Sequence, residues 1–161
     1  MSNRIALFIR LPWSDKRTLF AAYGLLARAY WALRREPFAR LRSWTEAPLH
    51  AATRPAPGNV EPTVERISRW VSAAASYHFL RIQCLERSLV LQRLLAGAGV
   101  PSELKIGIEK VEGRLHAHAW VEVDGRPISE PEAIEARFRP FAAYLTATKT
   151  SETLGSSQQT P

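Results

Sequence analysis

The residues with the clearest chemical potential are one cysteine and two histidines. Cys84 is the only cysteine in the 161-residue chain, and His116 and His118 follow it within a predicted hairpin. A thiolate is a strong nucleophile, and a nearby imidazole can take the thiol proton and later pass it to a leaving amine. A cysteine and a histidine brought together in this way would support acyl transfer.

The predicted position of Cys84 favours this chemistry. Leucines recur at helical spacing from Gln83 to Ala96, and Gly97 and Gly99 supply a helix end. Cys84 therefore lies in the first turn of a helix, where unpaired N–H groups favour a thiolate and can receive an oxyanion. The alternative is an inert buried cysteine.

The histidine partner must come from the strand predicted over Leu115 to Val123. Residues two apart share a strand face, so spacing alone does not choose between His116 and His118. We choose His118, because its alanine neighbours leave room for a helix to approach and Trp120 can wall the site. The alternative for either histidine is an ordinary surface position.

A third group normally orients the imidazole, and the predicted group is Glu130, with Asp124 and Glu122 as runners-up. Asp124-Gly125 predicts a hairpin turn. A strict two-residue turn puts residue 131 opposite 118, whereas a three-residue loop puts 130 opposite 120 and diagonal to His118. The choice of Glu130 thus requires a bulge or a wider loop, and each carboxylate has a plain solvated alternative.

The remaining patterns divide the chain into four parts. A basic helical segment is predicted over residues 1–50, a loop or linker over 51–62, a core over 63–145 and a disordered tail over 146–161. The predicted elements are helices over 14–35, 63–77 and 132–145, strands over 103–109 and 115–123, and a turn over 111–114.

Composition places the chain among soluble folded proteins. Hydrophobic residues make up 46% and charged residues 23%, which argues against both disorder and a membrane protein. The lone cysteine excludes an internal disulfide, and Met1 to Arg10 lacks the pattern of a signal peptide. The longest apolar run, Thr18 to Leu33, is interrupted by Arg28 and too short to span a bilayer. We expect a cytoplasmic protein.

The charge is strongly asymmetric. The formal net charge is +7, and residues 1–48 hold nine Lys or Arg against three Asp or Glu, which leaves +6 there. Such a segment could attract an acidic peptide, an acidic protein, a membrane surface or nucleic acid, and a merely solvated face is the alternative.

A zinc site formed by Cys84, His116 and His118 is a weaker hypothesis for these three residues, because no second cysteine and no metal-ligand spacing accompanies them. We expect no metal and no cofactor.

Several motifs together resemble a known family. They are Cys84 to Leu89 (CLERSL), Leu94-Leu95, Gly99-Val100, His118 to Glu122 (HAWVE) and Asp124 to Arg126 (DGR). In order and spacing they resemble the transglutaminase-like leader peptidases of lasso-peptide biosynthesis, closely over residues 63–132. The segment from Leu11 to Leu41 is also similar to that family's N-terminal region.

The resemblance implies an α+β fold in which a helical N-terminal segment precedes a transglutaminase-like or papain-like core, with the nucleophile at a helix N-terminus packed on a small antiparallel sheet. It implies that Cys84 is the nucleophile, His118 the general base and acid, and Glu130 the third member where the family usually has Asp. The implied reaction removes the leader from a ribosomally made precursor peptide.

The implied partners follow from the same resemblance. They are the precursor peptide, a separate leader-recognition protein (a RiPP recognition element) and the lasso cyclase, with no nucleic acid and no membrane span. The rival interpretation is a non-catalytic protein that uses the basic N-terminal helices to hold a peptide or nucleic acid. A more distant one is an acyl transferase that uses an amine in place of water.

Overall fold

Three long helices form one layer of the part of the protein that is described. The computed structural model describes residues 10–37, 40–41, 43–45, 59–130 and 134–140. Helix α1 spans Trp13–Arg35, α2 spans Glu61–Ser76 and α3 spans Cys84–Gly97. No described helix combines the length and apolar character needed to cross a membrane.

Helix α2 begins at Glu61, two residues before the predicted start at residue 63. Pro62 occupies its first turn, where a missing N–H is not needed by the helix. The Asn59 side chain accepts a hydrogen bond from the Glu61 backbone N–H at 3.1 Å, which satisfies one of the free donors at this end. Of the loop predicted over 51–62, residues 51–58 lie outside the described part, as does the predicted tail over 146–161.

The second layer is an antiparallel sheet with strand order β3-β2-β1-β4. Its strands are β1 (Glu103–Val111), β2 (Arg114–Val123), β3 (Arg126–Pro127) and β4 (Arg139–Pro140). The β1–β2 hairpin turns on Glu112 and Gly113, both with positive φ, and the β2–β3 hairpin on Asp124 and Gly125, also with positive φ. Two such residues match the twist of the flanking strands, so both turns are tight.

The main core lies between the helices and one face of the sheet. It joins Ala22, Leu26 and Ala29 of α1, Val64, Ile67, Val71 and Ala74 of α2, Val90, Leu91 and Leu95 of α3, and Val121 and Val123 of β2. The small residues of α1 allow the other helices to approach closely. Together the two layers confirm the predicted α+β class, with a helix packed on a small antiparallel sheet.

The chain after the hairpins differs from the prediction. Instead of a helix over 132–145, the described residues form a short α4 (Ile134–Arg137) followed by β4, while residues 131–133 and 141–145 lie outside the described part. Pro140 is paired with Gly107, and Arg139 with Ile108. Pro140 therefore belongs to an edge strand, where a residue without an N–H is tolerated.

Candidate active site

Cys84 is the first residue of α3, and it is a partly exposed free thiol. The residue before it, Gln83, is extended, and its backbone N–H donates a hydrogen bond to the Glu86 carboxylate at 3.1 Å. This contact closes the first turn in the manner of a capping box. The remaining N–H groups of the turn have no helical acceptor, so they can stabilise negative charge that develops beside Cys84.

The N-terminal helix contacts this turn directly. Glu86 is only 4% exposed, and its Oε1 lies 3.4 Å from Nη1 of Arg34 in α1. The guanidinium of Arg34 also stacks on Tyr30, 3.4 Å from the ring centroid. The sequence analysis treated Arg34 as part of a basic surface, because a contact between residues 52 positions apart leaves no periodic signal.

His78 anchors the loop that leads into Cys84. Its Nδ1 accepts a hydrogen bond from the Leu80 backbone N–H at 3.0 Å, so Nε2 carries the proton and donates to the Tyr23 carbonyl at 3.2 Å. The imidazole also contacts the rings of Tyr23 and Phe79, at centroid distances of 4.2 and 4.9 Å. The loop before Cys84 is therefore fixed to α1, a role that the sequence analysis missed.

Ser88 places the start of α3 against the open edge of β2. The edge of β2 that pairs with β3 has one more backbone hydrogen bond after Pro127, from the Ile128 N–H to the Val121 carbonyl at 2.9 Å. The Ala119 carbonyl points to the same side, and the Ser88 hydroxyl donates to it at 2.9 Å. Cys84 lies one turn before Ser88, and residues four apart on a helix have Cβ atoms only about 6 Å apart. Cys84 therefore lies on the same face of α3 as Ser88, the residue that contacts β2.

His118 and Glu130 are adjacent in the structure. Nε2 of His118 lies 3.2 Å from Oε1 of Glu130, and the two side chains are 21% and 12% exposed. Among the described residues this nitrogen has no partner in hydrogen-bond alignment, so the two groups are within ion-pair distance but are not hydrogen-bonded. Since Nε2 faces Glu130, Nδ1 is the nitrogen left for a thiol.

Glu130 reaches His118 by a route different from the expected one. The β2–β3 turn is a strict two-residue turn, with Val123 paired with Arg126, and no wider loop shifts the register. Ser129 instead has a φ of 60°, which ends the extended conformation of the strand and redirects the next residue. The expectation that Glu130 needs a bulge or a wider turn to reach His118 was therefore wrong. The chain changes direction at Ser129, after β3 has ended.

Arg87 holds Glu130 from the other side. Its Nη2 donates to the same Oε1 at 2.6 Å, a charge-assisted hydrogen bond between partly buried groups. Arg87 and Ser88 lie three and four residues after Cys84, so this face of α3 contacts both Glu130 and β2. The i, i+3 and i, i+4 spacing from Cys84 was the signal that could have identified both residues from the sequence.

Two aromatic rings pack against one side of the imidazole. Phe138 and Trp120 lie 5.3 and 6.2 Å from the His118 ring by centroid, and both are buried. Phe138 can approach because the residue paired with His118 is Gly107, where a Cβ atom would meet Phe138 Cβ at 2.7 Å. Water is thereby excluded from one side of the ring, which strengthens its interaction with a carboxylate.

The other sequence candidates have different surroundings. The buried Glu122 accepts a hydrogen bond from Trp120 Nε1 at 2.7 Å and lies 3.6 Å from Lys105. The pKa of Lys105 is raised, mainly by its hydrogen bond to Glu103. Asp124 is exposed in the turn and His116 is exposed on β2. Among the described residues no group of three His, Cys, Asp or Glu side chains could hold a metal ion.

Comparison with known proteins adds the family. Separate comparisons with curated proteins and with solved structures each gave no match. A family model described as the transglutaminase-like superfamily matches residues 24–143, which is well over half of the 161 residues. The match includes Cys84, His118 and Glu130 and extends back into α1. The chain therefore belongs to the transglutaminase-like superfamily.

Proposed function

We propose that the protein is a cysteine peptidase in which Cys84, His118 and Glu130 form the catalytic group. The observation that carries the proposal is the His118–Glu130 contact of 3.2 Å beside the edge of β2 that receives the first turns of α3. Membership of the transglutaminase-like superfamily supports a catalytic cysteine of this type. The arrangement supplies a nucleophile, a proton carrier and a carboxylate that can stabilise the imidazolium.

The proposed reaction has two halves. His118 Nδ1 takes the thiol proton as the Cys84 sulfur attacks the scissile carbonyl, and the N–H groups at the start of α3 stabilise the oxyanion. The C–N bond then breaks, the imidazolium protonates the leaving amine, and the acyl group remains on sulfur as a thioester. In the second half, His118 deprotonates a water that attacks the thioester, which releases a carboxylate and restores the thiol.

The proposed substrate is the leader of a lasso-peptide precursor. The support is the CLERSL and HAWVE motifs, which lie on the two elements that meet at the site. The acyl group held by Cys84 would then be the leader, and the leaving amine would be the new N-terminus of the core peptide. A separate leader-recognition protein would deliver the precursor, and the cyclase would use the freed amine.

Intact-mass spectrometry of purified protein with a candidate precursor and its recognition protein tests this proposal. We expect a free leader and a free core whose masses sum to that of the precursor plus one water. The Cys84→Ala variant, and wild-type protein alkylated at its only cysteine, should bind the precursor and leave it intact. His116→Ala is the matched control for His118→Ala, because both histidines lie on β2.

Two results would contradict the proposal. Full cleavage by Cys84→Ala would exclude the thiol as the nucleophile. A leader product that carries an added amine in place of water would assign the protein to acyl transfer, which uses the same two residues in the first half of the reaction.

A further inference from the structure

A groove lies at the end of α3 that is remote from Cys84. It encloses about 830 Å³ between α1, α2 and the last turn of α3. Along α1 it extends from Ser14 to Leu25, roughly 16 Å at the helical rise per residue. The lining residue of α3 nearest to Cys84 is Arg93, nine positions along the helix, so roughly 14 Å at the helical rise per residue separates the groove from the thiol.

Small residues form part of the lining of the groove, here called its floor. They are Ala21 and Gly24 of α1, and Gly97 and Ala98 at the end of α3. A Cβ atom built on Gly24 would meet nothing within 4 Å, so the space above this residue is open. Small residues of this kind let the backbone of another helix approach closely. At the N-terminal end of the same helix, Phe20 is 61% and Trp13 is 72% exposed.

The charge of the groove is unbalanced. Arg17, Arg66 and Arg93 line it, and among the described residues only Arg66 of these three has a carboxylate within ion-pair distance, Asp15 at 3.7 Å. Arg93 and Arg28 both lie over the ring of Trp44, at 4.5 and 5.3 Å from its centroid. Burial, and then the charge of Arg28, lower the pKa of Arg93.

These cations therefore lack an acidic counterpart. Within the described residues no carboxylate lies within ion-pair distance of Arg17, Arg28 or Arg93. Guanidinium groups bind carboxylates through two parallel hydrogen bonds, so arginines at a groove favour acidic side chains of fixed geometry.

We propose that this groove is the docking site for an acidic amphipathic helix of a partner protein. About three helical turns would fill its length, with small apolar residues on the floor and Asp or Glu side chains toward Arg17 and Arg93. A bilayer would not enter a concave surface, and among the described lining residues Phe20 is the one aromatic side chain, whereas single-stranded nucleic acids stack successive bases on several rings. Docking here leaves the Cys84 end of α3 free. The proposal does not depend on whether water or an amine accepts the acyl group.

Fluorescence anisotropy with defined probes tests the proposal. The probe is a labelled synthetic helix of about 14 residues, roughly four turns, with Leu and Ala on one face and Glu on the other. The comparison probes are the same peptide with each Glu replaced by Gln, a single-stranded oligonucleotide, and vesicles that contain phosphatidylglycerol. We expect the Glu peptide to bind wild-type protein at least about tenfold more tightly than the Gln peptide.

Three variants locate the binding. Gly24→Leu places a larger side chain in the groove, where its Cβ atom would meet nothing within 4 Å, and should weaken binding of the Glu peptide by about tenfold, while circular dichroism shows a folded protein. Arg17→Glu should weaken it similarly. Arg114→Glu, an exposed site at the β1–β2 turn, makes the same change in charge and should leave binding unchanged.

Several outcomes would overturn the proposal. They are equal binding of the Glu and Gln peptides, no binding of the Glu peptide, equal losses for Arg17→Glu and Arg114→Glu, or normal binding by folded Gly24→Leu. Binding of the oligonucleotide or the vesicles that Gly24→Leu abolishes would show that another class of partner occupies the groove. Arg17→Glu keeps the test decisive if Gly24→Leu does not fold.

Discussion

The Gly107→Ala substitution tests how the wall of the site is built. The new Cβ would lie 2.7 Å from Phe138 Cβ and 3.0 Å from Trp120 Cη2. Carbon atoms prefer about 3.5–4.0 Å, so the contact with Phe138 is about 1 Å too short. Phe138 Cβ cannot rotate away, because it is bonded directly to the backbone between α4 and β4. The whole segment would have to move away from β1.

The cost of this movement can be estimated. Overpacking costs about 1–3 kcal/mol, and replacement of a strand glycine by alanine returns about 0.5–1 kcal/mol of backbone entropy. The midpoints of these two ranges leave a net loss of about 1 kcal/mol in the free energy of unfolding. For a domain of this size, that loss corresponds to a decrease of about 2–4 °C in Tm. The displaced Phe138 ring should also leave His118 more exposed and slow peptide cleavage.

Thermal unfolding followed by circular dichroism measures the effect, with Gly24→Ala as the matched control. That helical glycine has no atom within 4 Å of a built Cβ, so its replacement should stabilise the protein by about 0.5–1 kcal/mol. If Gly107→Ala were as stable as wild-type protein and cleaved peptide normally, Phe138 would not pack against Gly107 as described, and the reasoning would be refuted.

Three further substitutions test individual contacts. Arg87→Met removes the 2.6 Å hydrogen bond to Glu130 and should cost about 1–3 kcal/mol in chemical denaturation and reduce the single-turnover cleavage rate. Glu130→Gln should slow cleavage at least about tenfold, whereas Asp124→Asn at the exposed turn should leave it within about twofold, and the opposite ranking would exclude Glu130. Trp120→Phe deletes the donor to buried Glu122 at 2.7 Å and should lower stability by about 1–3 kcal/mol, and an unchanged Tm would contradict this.

Local patterns predicted the elements that carry the site. The Ser14–Arg35 helix, the helix that begins at Cys84 and the Asp124-Gly125 turn all depend on residues close together in the sequence. Periodicity and turn chemistry report such elements well. They do not report a four-residue helix or a two-residue strand, which is why the segment around Phe138 was predicted as helical.

The contacts between elements were not available from patterns. Arg34 with Glu86 and His78 with Tyr23 join residues far apart in the sequence, and neither has a periodic signature. Glu130 was chosen for its proximity to His118 in a hypothetical register, yet its position depends on the positive φ of Ser129. A serine in that conformation is uncommon, and the surrounding packing, not local propensity, imposes it.

The central claim is that His118 and Glu130 activate Cys84, and the alkylation rate of this only cysteine tests it without any substrate. Iodoacetamide at neutral pH adds one group, which intact-mass analysis counts over time. We predict that His118→Ala and Glu130→Gln each slow alkylation, His118→Ala by at least about tenfold, while His116→Ala matches wild-type protein. Equal rates for wild-type protein and His118→Ala would show that the imidazole does not act on the thiol.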